Sequence, residues 1–239
     1  MSFKEMDSEI QFKYDSFSSD IVNDFYNKVL SESVRYDMIS GFFSSTSLAI
    51  ASKGIANFIR NEGHMRLLCG AELTQADLQA IGNADDLKDY VGKNFIDEYE
   101  NLEEEVVKNH VKSLGWMIAN NFLEIKIGVP VDKENGKINP NRMLHSRIGL
   151  FYDEIDDCIM FEGAASEMLR DSSTSIEIFR VFKSWRDGEW IIGAKEDFEE
   201  MWNGQNEYLM VFDVPDAIKN NLIKIAPESK DELENLLKL

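Results

Sequence analysis

Residues 34–70 read VRYDMISGFFSSTSLAIASKGIANFIRNEGHMRLLCG, and the choice of fold class turns on this stretch. VRYDMISGFF is a run of apolar and aromatic residues up to Gly41, the composition of a buried strand. The serine cluster SSTS at 44–47 then supplies hydroxyl caps for a helix. Leu48, Ala51, Ile55 and Phe58 recur at helical spacing, and Gly63 marks the stop. MRLLCG returns as a second strand. A strand, a helix and a strand in this order form a crossover unit, which places the two strands parallel in one sheet.

The reading extends in both directions. Residues 1–18 carry no strong signal. Ser19 or Asp20 caps a helix through Leu30, with Ile21, Phe25 and Val29 on one face. Downstream, Thr74 caps a short helix. Val107, Val111, Leu114 and Ile118 make the apolar stripe of a longer one. LEIKIGVP alternates as a strand, and residues 130–142 form a loop rich in turn residues. Strands over 143–152 and 158–162 follow, joined by DEIDD, with a short helix of small residues after Gly163. IEIFRVFKSW is a strand, DGEW a turn with an aromatic anchor, EDFEEMW a helix and EYLMVFDV a strand. PDAIKNNLIKIA is a helix with Pro215 in its first turn. The pattern predicts an α/β fold, a mixed and mainly parallel sheet flanked by helices, in one domain over 1–239. An acidic helical segment at about 85–122 is inserted, and a C-terminal helix covers about 215–239.

Composition narrows the function classes. The chain holds 44 Asp+Glu against 25 Lys+Arg, a net charge of −19, so broad nucleic-acid binding through overall charge is excluded and only a local basic patch remains open. Nine of the acids and three lysines fall between Asp85 and Lys108, a solvated helical face suited to a partner contact. Cys69 and Cys158 sit in or beside apolar runs and are expected as buried free thiols. With two cysteines and three histidines, a structural zinc site is not expected. The charged N-terminus has no signal core, no apolar run spans a bilayer, and no basic amphipathic segment favours a membrane surface, so a cytoplasmic protein is expected. Trp185, Trp190 and Trp202 are spaced too irregularly for a stacking platform and are read as core or interface anchors.

The chemistry concentrates in LHSRIGLFYDEIDDCIMFEGAASEM, residues 144–168. On a strand, His145, Arg147 and Gly149 project on one face, with space left by the glycine. Gly163 ends the following strand, Ser166 lies beyond it, and Glu177 begins another. A histidine, a guanidinium, a small hydrogen-bonding residue and a carboxylate brought together suit phosphoryl transfer. The imidazole attacks phosphorus, the carboxylate fixes its tautomer, and the guanidinium holds phosphate oxygens. Lys126, Arg142 and Arg170 are further cations considered for the same cleft.

These residues resemble the motif of the phospholipase D superfamily: His-x-Lys, an aspartate, Gly-Ser-x-Asn and a later glutamate. YDMISGFFSSTSLAIASKGIANFI, LGWMIANNFLEIKIGVP, EIFRVFKSW and MWNGQNEYLMVFDVPDAIKNNLIKIAPE are similar to the domain of that superfamily found at the N-terminus of bacterial superfamily 2 helicases and in restriction and phage-defence systems. The resemblance covers nearly the whole chain. It implies His145 as nucleophile or general acid, Glu177 as its orienter, Arg147 and Ser166 as phosphate-binding residues, and Asp153 and Gly163 as supports. No metal and no cofactor are implied. The motif is degenerate. Arg147 replaces lysine, Ala164 replaces serine, Ser166 replaces asparagine, and Asp153 comes one residue late. Losing one transition-state donor typically costs about a hundred- to a thousandfold in rate.

The family's site also needs two motif copies, and this chain has one. His64 with Arg66 and His110 with Lys112 lack the glycine turn that would make a second. A homodimer with the site on its twofold axis is therefore expected. The resemblance implies a phosphodiesterase or nuclease acting on nucleic acid in a defence or helicase-linked system. The alternative is an inactive interaction module that dimerises and docks a helicase or other defence protein.

Overall fold

A computed structural model of the chain describes residues 2–41, 54–71, 88–89, 91–93, 105–139, 141–163 and 178–236. Its strands are β1 (Lys13–Asp15), β2 (Arg35–Ser40), β3 (His64–Gly70), β4 (Leu123–Pro130), β5 (Ile148–Tyr152), β6 (Cys158–Gly163), β7 (Ile178–Lys183) and β8 (Leu209–Asp213). Its helices are α1 (Asn27–Ser31), α2 (Ile55–Arg60), α3 (Glu105–Ala119), α4 (Gly188–Trp202), α5 (Asp216–Ile225) and α6 (Lys230–Leu236). All eight strands join one sheet in the order β1-β7-β6-β5-β2-β3-β4-β8.

The β2–β3 pair is parallel, as residues 34–70 predict, and β4 adds parallel to β3. The expectation of a mainly parallel sheet is corrected, because the other five pairings are antiparallel. The cause is visible between β5 and β6. The turn DEIDD folds back on itself, with Asp153 accepting the N–H groups of Ile155 and Asp157 at 3.1 and 2.9 Å. A turn this short can join only antiparallel neighbours.

The two faces are covered differently. On one face, α3 packs against α5, and the rings of Tyr14, Phe25, Tyr26, Phe151, Phe161 and Phe179 form a buried cluster with centroids 5.1–6.4 Å apart. These offset and edge contacts suit aromatic quadrupoles. On the other face, Ile191, Ala194, Phe198 and Trp202 of α4 bury against Ile39, Leu68, Leu150 and Met160 of the sheet. α4 begins at Gly188, so DGEW opens a helix instead of forming a separate turn. Of the tryptophans read as core or interface anchors, Trp202 is buried in the core and Trp190 is 68% exposed.

At the N-terminus, β1 and its lead-in were illegible in the sequence. They are held by Lys183, whose buried ammonium donates to the Asp7 and Ile10 carbonyls and to Asp7 Oδ1 at 2.6–2.8 Å. The helix expected from Ser19 or Asp20 is present, capped by Asp20, and includes a π-helical turn at Val22–Tyr26. Pro215 caps α5 from outside its first turn. The C-terminal helix is broken in two at Ala226, which is extended (ψ 149°) and precedes Pro227, a residue that disfavours helical backbone before it. Both cysteines are buried and free, and burial pushes the Cys158 thiol up to about 12. Of the helix predicted from the serine cluster at 44–47 to Gly63, the structure describes α2 (Ile55–Arg60), while its first part and the helix predicted after Thr74 lie outside the described residues. Among the described residues, no helix is long and apolar enough to cross a membrane.

Candidate active site at the carboxyl ends of the strands

Parallel strands β2, β3 and β4 end together at Ser40, Gly70 and Pro130. Because β5 and β7 run opposite to their neighbours, they begin at this same end, where β6 also finishes. Ligand sites in α/β sheets gather at the carboxyl ends of parallel strands. At this end, residues 144–147 cross the strand tips on their way into β5. The crossing is close: a side chain on Gly70 would collide with the Gly41 carbonyl and reach Leu144 Cβ at 3.1 Å, and one on Gly41 would meet the Leu144 carbonyl at 3.2 Å.

An open depression of about 250 Å³ lies there, lined by His145, Ser146, Arg147, Glu162 and Gly163. His145 is exposed and Arg147 half-buried. The N–H of Gly163 donates to the Arg147 carbonyl at 3.2 Å, which ties the end of β6 to the histidine segment. Gly163 has φ +134°, and a Cβ there would stand 2.6 Å from the Ile178 carbonyl, so this position requires glycine. Among the described residues, neither Arg147 nor Glu162 has an oppositely charged partner within 4.0 Å.

Two geometric expectations are corrected. β5 starts at Ile148, so His145 and Arg147 sit in the segment before the strand and not on it. Gly149 leaves no open space, because the ring of Phe161 fills the volume its side chain would occupy. The structure brings His145, Arg147 and Gly163 together. Asp153 lies past the other end of β5, roughly 25 Å away at about 3.3 Å per residue. It is buried there, accepting the Phe3 N–H at 2.9 Å and stabilising the β5–β6 turn. Ser166 and Glu177 lie outside the described residues, as do Ala164 and Arg170. Glu162 was missed. Its signal was available, since it immediately precedes Gly163 on the strand that closes the site.

The other histidines and cations resolve differently. His64 opens β3 at the opposite end of the sheet and pairs with Glu124 at 3.2 Å. It lines a larger depression of about 430 Å³ with Lys126, Asp213 and Lys219. Lys126 does not face the cleft. Its ammonium donates to the Trp202 carbonyl at 3.1 Å and lies over that residue's ring. Arg142 is exposed, 5.8 Å from the Tyr208 ring centroid. His110 lies on α3, and its side chain is outside what the structure describes. The smaller depression therefore holds the open histidine and guanidinium, whereas the charged groups of the larger one that have partners are tied to protein atoms.

No family model matches the chain, and no curated protein matches its sequence. Among solved structures, the chain is similar to NucT from Helicobacter pylori at 12% identity and a TM-score of 0.44, over 84% of this chain and 98% of that one. It is also similar to TrmBL2, an archaeal chromatin protein, at 10% identity and a TM-score of 0.34, over 84% of this chain and 56% of that one. The fold itself defines the class: α/β, one eight-stranded mixed sheet between helical layers.

Proposed function

We propose that the chain is a phospholipase D-like phosphodiesterase that cleaves nucleic acid. The observation that carries this reading is the open depression at the strand ends. It holds the imidazole of His145 and the guanidinium of Arg147 beside the glycine that ends β6. In the proposed reaction, an imidazole nitrogen of His145 attacks phosphorus, a nitrogen–phosphorus bond forms and the phosphorus–oxygen bond to the leaving group breaks. The proton for the departing oxygen comes from His145 of a second copy, with the two subunits meeting at the pocket. Water then hydrolyses the phosphoramidate and releases the histidine. Arg147 holds the non-bridging oxygens, Ser166 adds a donor, and Glu177 orients the imidazole. Residues of this chain carry the charge, so turnover is expected to survive EDTA. A defence or helicase-linked setting is proposed on the sequence resemblance alone.

A second reading has its own support. Glu162 puts a carboxylate into the same depression, and the whole chain carries −19. Both oppose a phosphate and favour an inactive module that dimerises and docks a partner protein. Hydrolysis of bis-(p-nitrophenyl) phosphate in EDTA separates the two. Release of p-nitrophenol that is abolished by His145→Ala supports the enzyme. No release from wild type supports the module, and equal release from the variant removes His145 from the chemistry.

A further inference from the structure

Among the described residues, the sheet face that α4 covers is open at one edge. Strand β7 alternates there, with Phe179, Val181 and Lys183 buried on one side and Ile178, Arg180 and Phe182 turned to the other. On that outward side Ile178 is 42% exposed, and Arg180 is exposed as well. Register fixes the neighbours. Arg180 lies opposite Glu162 of β6 on one side and Lys13 of β1 on the other, with strands about 4.8 Å apart. Glu162 also lines the His145–Arg147 depression, so the bare face and the depression are one continuous surface. Farther along β7, about 6.6 Å on from Arg180 at two strand residues, comes Phe182. Its ring faces that of Trp190 from α4, with centroids 6.0 Å apart.

Two features of this face ask for a ligand. In a chain with 44 acids to 25 bases, a guanidinium would be expected to find a carboxylate, yet among the described residues Arg180 has none within 4.0 Å. Trp190, in the first turn of α4 beside the buried stripe, is 68% exposed and presents an aromatic plane to solvent. A cation beside an aromatic platform, leading away from a phosphate-sized pocket, matches the way an extended polynucleotide is held: backbone on the cations, bases on the rings.

We propose that β7 and the start of α4 form a track for single-stranded nucleic acid that leads into the His145–Arg147 depression. Arg180 holds the phosphate next to the one in the pocket, and Trp190 with Phe182 stacks a base. The assignment rests on the proposed function for its substrate class, but its residues lie outside the reacting group.

The test measures binding of a fluorescent oligothymidylate by anisotropy at low salt. Wild type, Arg180→Gln, Trp190→Ala and the control Ile192→Ala, which alters another exposed residue of α4, are compared at equal folded content by circular dichroism. Removal of the stacking ring is expected to weaken binding about tenfold or more, given the usual stacking contribution per base. Arg180→Gln should weaken it and flatten its salt dependence, while Ile192→Ala should bind as wild type does. Oligonucleotide affinity that both track variants leave unchanged overturns the assignment, as does absence of binding by wild type. Binding to vesicles of anionic phospholipid that is lost in Arg180→Gln, with no oligonucleotide binding, overturns it in favour of a lipid surface. Failure of the track is distinguishable from failure of the pocket. The pocket is read by His145-dependent hydrolysis of bis-(p-nitrophenyl) phosphate, a substrate too small to reach Trp190.

Discussion

Arg66 and Arg180 project from the same face of one sheet, the first beneath α4 and the second beyond its reach. Arg66 donates from Nε and Nη2 to the two oxygens of Asp37 at 2.7 Å each, and from Nη2 to Glu199 of α4 at 2.6 Å. Its guanidinium lies over the rings of Phe198 and Trp202. Burial alone would lower its pKa, but the hydrogen bonds to Asp37 and Glu199 outweigh that and raise it, while Arg66 holds the Glu199 carboxyl below its ordinary range. Arg180 has none of this. Where α4 covers the sheet, Arg66 is matched by Asp37 and Glu199, and the cation fastens helix to strand. Where α4 stops short, the guanidiniums of Arg147 and Arg180 stand open. The difference separates charges that hold the fold from charges free to hold a ligand.

Breaking the fastened side gives the largest effect. Asp37→Ala leaves Arg66 without its bidentate partner at a position where the carboxylate is 1% exposed. A loss of about 3–5 kcal/mol in urea unfolding is expected. Arg180→Gln on the open side should change the same measurement by no more than about 0.5 kcal/mol. Equal losses from the two would erase the comparison.

A smaller effect sharpens it at the N-terminus. The hydrogen bond from Lys183, itself buried, holds the Asp7 carboxyl below its ordinary value. A carboxylate with a lowered folded-state pKa contributes stability that is present above its unfolded value, near 3.9, and is lost as pH falls through the folded one. Thermal unfolding followed from pH 5 downward should therefore show a drop in wild type that is smaller in Asp7→Asn. Parallel curves would remove Asp7 from the acid response.

Much of the parallel part of the sheet was legible in the sequence. The strand–helix–strand pattern of residues 34–70 announced β2 and β3 as buried, largely apolar runs, and the alternation of LEIKIGVP announced β4. The antiparallel half was harder to read. β1 is three residues long and depends on partners far away in sequence, Lys183 and Arg180, which local pattern does not reveal. The start of β5 was misplaced by five residues because the apolar Met143 and Leu144 read as the beginning of the strand, even though no ladder pairs residues 143–147. Of the candidate site, His145, Arg147 and Gly163 were found by motif spacing and are gathered in one depression. Glu162 went unseen, and Trp190 was read only as a core or interface anchor, because what covers them is a property of neighbouring elements and not of their own segment.

The central claim is that the imidazole of His145 bonds to phosphorus. The direct test is to incubate the protein with a phosphodiester, quench in denaturant at alkaline pH where phosphoramidates survive, and map the adduct by peptide mass spectrometry. The account predicts the phosphoryl half of the substrate on His145 in wild type, and neither adduct nor turnover in His145→Ala. Turnover by the variant, or turnover by wild type with the adduct on another residue, would contradict it.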